Sequence, residues 1–281
     1  MTIPLLRTET INSEDIPMTK TPTDRQIAQQ YESGLQDVDS LIAPLIELSR
    51  ESSSLVLGYG PSEDQVRENM IPYFHVSGTP GDQSPVRVLI VGGWVGTETI
   101  TPYVAARVLA ALESRLQIVA GIDITAYPVA NLDAHREGTY LTNEQAWQGA
   151  KCWDDSPLSY IHTLENELKR YDYDLVILLR ENVRAQEADV EAWLVEDEQK
   201  EVLGEALKRY SEAGNFRWRA NPVRPLYARS FTPVPGAERQ PAEIIVALPG
   251  ARDPKDQAEE GLGLVLSLAH AIREARTKQR L

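Results

Sequence analysis

Apolar residues recur every three or four positions through residues 24–50, with Ile27, Tyr31, Leu35, Val38, Leu41, Leu45 and Leu48 on one stripe. That spacing predicts a helix packed on something larger. Gly58, Gly60 and Pro61 break it, and Ile71–Val76 reads as a short strand ahead of a turn rich in Gly, Pro, Asp and Ser at 78–85. Val86–Val91 is an apolar run, interrupted only by Arg87 and closed by Gly92-Gly93, the pattern of a strand covered on both faces. A helix follows at once, with Thr101 as its cap, Pro102 in its first turn and Val104, Ala105, Val108, Leu109 and Leu112 as its buried stripe. Gln117–Tyr127 then reads as a strand, Pro157–Tyr171 as a helix and Leu175–Leu179 as a buried strand. Asp189–Tyr210 reads as a long acidic helix, Ile244–Leu248 as a strand and Asp256–Arg276 as the closing helix. Strands alternating with helices predict an α/β fold: one mostly parallel or mixed central sheet flanked by helices on both faces. Residues 1–23 are polar and non-periodic, a flexible N-terminal arm, and 24–281 form one domain with the proline-rich stretch Asn221–Pro241 as an excursion.

Composition narrows what such a domain does. The chain of 281 residues sets 28 Lys and Arg against 42 Asp and Glu, a net charge of −14. Phosphate backbones and anionic membrane surfaces require concentrated positive charge, so nucleic acid and membrane are excluded as main partners. A single cysteine, Cys152, permits neither an internal disulfide nor a multi-cysteine metal site. The absence of a secretory start and of a membrane-length apolar run points to a cytoplasmic location. Gly92-Gly93 lacks the third glycine of a dinucleotide fingerprint.

Ligands in open α/β sheets bind beyond the carboxyl ends of the strands. Here that rule selects Gly92–Glu98, Asn131–Arg136, Arg180–Asn182 and Pro249–Asp253, which together hold one histidine, His135. The order of these pieces resembles the zinc carboxypeptidase superfamily, in particular its succinylglutamate desuccinylase and aspartoacylase branch, over Val86 to Leu268. The resemblance implies a Gly-x-His-Gly-x-Glu motif after a buried strand, its His and Glu binding zinc. This chain reads Gly93-Trp94-Val95-Gly96-Thr97-Glu98, so the Glu is kept and Val95 stands for the His. The family's Asn-Pro segment and following arginine correspond to Asn131-Leu132-Asp133 and Arg136. Its Asp-Leu-Asn-Arg substrate grip corresponds to Leu141-Thr142-Asn143-Glu144, with Glu144 in place of the arginine. The third zinc ligand, a His ending an apolar strand, corresponds to Arg180, and the general-base Glu to Ala247.

A catalytic zinc needs about three protein ligands and an open position for water. Val95 cannot coordinate, Arg180 is always protonated and repels a dication, and Ala247 has no base to offer. The resemblance therefore implies a pseudoenzyme with no zinc, no other cofactor and no catalytic residue. Glu98 and Arg180 are expected to form an ion pair in place of the metal. Val95, Glu98, Asn131, His135, Arg136, Asn143, Glu144, Arg180 and Ala247 make up the degenerate pocket, with Trp94 and Trp147 able to line a groove. Three functions stay open: a binding or regulatory protein, a hydrolase or amidase with a displaced metal site, and a structural protein whose pocket is vestigial. If the pocket still binds, Arg136, Asn143 and Arg180 suit a small carboxylate or anion, or a zwitterion whose amine meets Glu144. No protein partner can be named.

Overall fold

The computed structural model describes residues 38–60, 70–78, 85–115, 119–137, 159–182, 185, 187–194, 196–212, 216–220, 240–250 and 252–279. The strands are β1 (Leu55–Tyr59), β2 (Pro72–Ser77), β3 (Val86–Val91), β4 (Ile122–Tyr127), β5 (Leu175–Asn182), β6 (Ala188–Trp193), β7 (Phe216–Ala220) and β8 (Ala242–Pro249). The described helices are α1 (Val38–Glu51), α2 (Ile100–Glu113), α3 (Leu132–Glu137), α4 (Ser159–Arg170), α5 (Asp197–Glu212) and α6 (Pro254–Gln279). All eight strands join one sheet in the order β1-β2-β4-β3-β5-β8-β6-β7. The centre, β4, β3, β5 and β8, is parallel, while β2 on one side and β6 on the other run antiparallel to it. The mixed sheet covered by helices is the expected fold class.

Side-chain alternation divides the core. Val88 and Ile90 of β3, Ile177 and Leu179 of β5, and Ile244 and Val246 of β8 point to the face covered by α1, α2, α5 and α6. Leu89 and Val91, Val176 and Leu178, and Ile245 point the other way, beneath Leu164 and Leu168 of α4. Strands β3, β5 and β8 present apolar side chains in both parities because each is covered twice. Helix α2 is apolar nearly all round and buried from Ile100 to Leu112, as a helix sandwiched between the sheet and other helices must be.

Four sequence expectations need correction. The helix expected over Asp189–Tyr210 is a strand, β6, followed by α5. Val190, Ala192 and Leu194 fit a period of two as well as Val190, Trp193 and Leu194 fit a helical one, and pairing with β8 and β7 selects the strand. Consequently Glu191 is not on a solvated helical face but is 1% exposed. The strand expected from Gln117 begins at Ile122, and β1 and β7, short edge strands, were not anticipated. Thr101 does not cap α2: the N-cap is Thr99, without a side-chain bond, and Thr101 lies inside the helix. The arm at 1–23, Cys152, Trp147, Asn143, Glu144 and most of Asn221–Pro241 lie outside the described residues.

The turn after β3 requires its glycine. Gly93 has φ +58°, and a Cβ there would stand 2.7 Å from the Val129 Cα and 3.0 Å from the Pro128 carbonyl oxygen. Backbone strain at such a position costs about 1–3 kcal/mol before any clash. Gly93→Ala is therefore expected to lose at least that much stability in urea unfolding; a loss under about 0.5 kcal/mol would contradict the tight turn.

Candidate functional site at the strand ends

The parallel strands β4, β3, β5 and β8 all end on one side of the molecule, and the loop Gly92–Thr99 leaves β3 there. Within the loop the Glu98 N–H donates to the Val95 carbonyl at 2.9 Å, closing a turn that sets the Glu98 side chain inward. Arg180 sits near the end of β5 on the α4 face, opposite Ala247 of β8 in register. Its Nε donates to Glu98 Oε1 at 2.9 Å, with the two side chains only 8% and 7% exposed. The Thr101 hydroxyl donates to Glu98 Oε2 at 3.3 Å and accepts from the Gly93 N–H at 3.0 Å, tying the loop's two ends together. Burial holds the Glu98 carboxyl above the ordinary carboxylate range, opposed by the Arg180 charge and hydrogen bond and by the Glu181 backbone N–H.

Glu181 uses the other face of β5. Its Oε2 accepts from the Thr99 N–H at 2.9 Å and the Ile100 N–H at 3.5 Å, satisfying the first amides of α2. Sequence reasoning placed Glu181 in the strand-end segment Arg180–Asn182 without giving it a role, and it miscast Thr101. The adjacency of Arg180 and Glu181 at a strand end was the available signal, since consecutive strand residues serve opposite faces.

The remaining candidates divide. Ala247 is buried beside Arg180 and pairs on its other side with Asp189 of β6, which meets Arg217 of β7 at 3.4 Å. Val95 is buried among apolar side chains. Asn131 caps α3, its Oδ1 accepting from the Ala134 N–H at 3.3 Å, and its own N–H bonds the Gly93 carbonyl at 2.9 Å. His135 stands next to the same turn, its Nε2 3.1 Å from where a Gly93 Cβ would be. Arg136 does not join them. Its guanidinium pairs with Asp39 of α1 at 2.9 Å on the surface, so the three-residue anion grip expected from Arg136, Asn143 and Arg180 is not assembled among the described residues.

No family model and no curated protein sequence matches the chain. Solved structures do. A metallo-carboxypeptidase from Burkholderia cenocepacia superposes with a TM-score of 0.65 at 12% identity, over 84% of this chain and 69% of its own. Thrombin activatable fibrinolysis inhibitor gives 0.66 at 11% identity, over 93% and 79%. A metallo-carboxypeptidase from Pseudomonas aeruginosa gives 0.56 at 15% identity, over 83% and 68%. The chain has the metallocarboxypeptidase fold.

A zinc ion does not suit the residues that this version of the fold presents. Val95 offers no donor atom, Arg180 brings a permanent positive charge, and the Glu98 carboxylate is already engaged by Arg180 and Thr101. Among the described residues no three His, Cys, Asp or Glu side chains gather as a metal-donor group.

Two outcomes test this corner. Removing one partner of a buried pair strands the other charge, so Glu98→Ala and Arg180→Ala are each expected to cost about 3–5 kcal/mol. The double variant should cost clearly less than their sum, with a coupling above about 1 kcal/mol by denaturant unfolding. Additive losses would mean the two groups do not interact. Separately, burial pulls the His135 imidazole from 6.5 down to about 4. A folded value below the unfolded one favours the neutral ring, so its contribution is complete above the unfolded value and lost as pH falls from about 6.5 toward 4. That loss is up to about 3 kcal/mol, and His135→Phe should flatten this part of the stability–pH curve. An unchanged curve would place the acid sensitivity elsewhere.

Proposed function

We propose that the chain is a non-catalytic protein of the metallocarboxypeptidase fold that acts by binding a ligand or a partner in the cytoplasm. The observation that carries this reading is the buried Glu98–Arg180 pair, which puts a guanidinium where the sequence resemblance calls for a metal ligand. Activating water for hydrolysis takes a Lewis acid or a base. The first is disfavoured by the charge of Arg180, and the second has given way to the Ala247 methyl. The hydrolase alternative with a displaced metal needs a donor cluster elsewhere, and the described residues offer none. The likeness to the succinylglutamate desuccinylase and aspartoacylase branch rests on the sequence motifs alone and belongs to the same proposal.

The charge state of the corner bears on what could bind. Arg180 is neutralised by Glu98, and Arg136 by Asp39, so neither offers an unspent charge to a free carboxylate. This favours a ligand that carries its own compensating charge, a zwitterion, over a simple anion. It equally supports the alternative of a vestigial pocket in a structural protein. With a net charge of −14, nucleic acid and anionic membrane stay outside the proposal.

Purified protein is expected to hold no stoichiometric zinc and to leave acyl amino acids and peptides intact. Chelator-removable zinc at one equivalent, together with hydrolysis, would overturn the non-catalytic reading. Calorimetric titration with amino acids, acyl amino acids and dicarboxylates separates the rest. Binding by the zwitterions supports a ligand-binding role, and silence with all three classes leaves the structural alternative standing.

A further inference from the structure

The misfit between the residues of this corner and a metal has a structural counterpart. The loop Gly92–Thr99 begins at the end of β3 and delivers the chain to α2, which packs on one face of the sheet, while Glu98 faces Arg180 on the other. The loop thus straddles the end of β5. The last residues of that strand hold it from both sides: Arg180 grips Glu98, and Glu181, of opposite parity, takes the Thr99 and Ile100 amides. Thr101 links the two grips by bonding both Glu98 and the Gly93 N–H. Backbone bonds to Tyr127, Ala130 and Asn131 anchor the loop at Gly92 and Gly93, and the Glu98 side chain adds a grip at its other end through Arg180 and Thr101.

We infer that Arg180 is a built-in cation that takes the structural part of a metal ion at this corner, ordering the Gly92–Thr99 loop by an intramolecular charge-assisted hydrogen bond. The order of the loop is then set when the chain folds and does not depend on any ion in solution. A guanidinium suits this post because its planar fork fixes direction as well as charge, and because it cannot lose its proton. The inference rests on the reading of the corner as metal-free, but it concerns the loop and not catalysis.

Hydrogen exchange across residues 92–99 tests it. In the parent protein, added zinc or chelator should leave exchange unchanged. In Glu98→Met/Arg180→Met, which removes both charges and strands neither, the sheet should remain protected while the loop exchanges at least about tenfold faster. Unaltered loop protection in that variant would overturn the inference, because the cation would then be dispensable. A second variant asks whether the vacated place is that of a metal. Val95→His/Arg180→His should take up one equivalent of cobalt or zinc, with tetrahedral cobalt absorption, and metal should slow the loop's exchange again. Adding Glu98→Ala should abolish the uptake. A folded double-histidine variant that binds no metal, or whose binding survives Glu98→Ala, would overturn the substitution. If that variant does not fold, the double-methionine result decides alone. Native zinc uptake with hydrolysis would defeat the proposed function, whereas an indifferent loop would defeat only this inference.

Discussion

A guanidinium and a carboxylate lie 2.9 Å apart with almost none of either exposed to water. Each would be costly to bury alone, and their attraction together with the bonds from Thr101 and the Glu181 backbone offsets that cost only while both are present. Burial pushes the Glu98 carboxyl toward its neutral form and Arg180 pushes it back. The corner is therefore committed to one arrangement: a change of either residue strands the other, and a cation approaching Glu98 must first displace Arg180.

This commitment follows from the strand order. Because β3, β5 and β8 are parallel neighbours, their carboxyl ends bring residues 98, 180 and 247 to one place despite separations of many dozens of residues. The continuous apolar runs of these strands fill both faces, which fixes their register and so the position of Arg180 opposite Ala247. Ala247 next to Arg180 leaves a methyl where a longer side chain could have reached the corner. Beyond it the same face carries Asp189 with Arg217 and the buried Glu191 with Arg219, an alternation of charges paired across β6 and β7.

Much of this was legible in the residues because buried strands announce themselves. Val88–Val91 and Leu175–Leu179 are apolar at every position, a pattern with few alternatives when glycine or a charge ends it. The juxtaposition of Glu98 and Arg180 was implied by the resemblance, which assigns both positions to one metal site. Short amphipathic segments were less legible. Ala188–Trp193 satisfies two periods, and only pairing with β8 and β7 decides between them. Arg136 illustrates a second limit, since its partner Asp39 lies 97 residues away and no local pattern links them. Glu181 and Thr101 illustrate a third: their roles come from where a loop crosses a strand end, a property of the path of the chain and not of composition.

The central claim is that an arginine occupies the place of a metal beside Glu98. Anomalous diffraction at the zinc edge, from crystals of the parent protein grown with excess zinc, tests it most directly. The expected result is an Arg180 Nε within hydrogen-bonding distance of Glu98, near the 2.9 Å found here, and no zinc peak at the Glu98 carboxylate. A strong zinc peak on Glu98, with Arg180 swung away from it, would contradict the account.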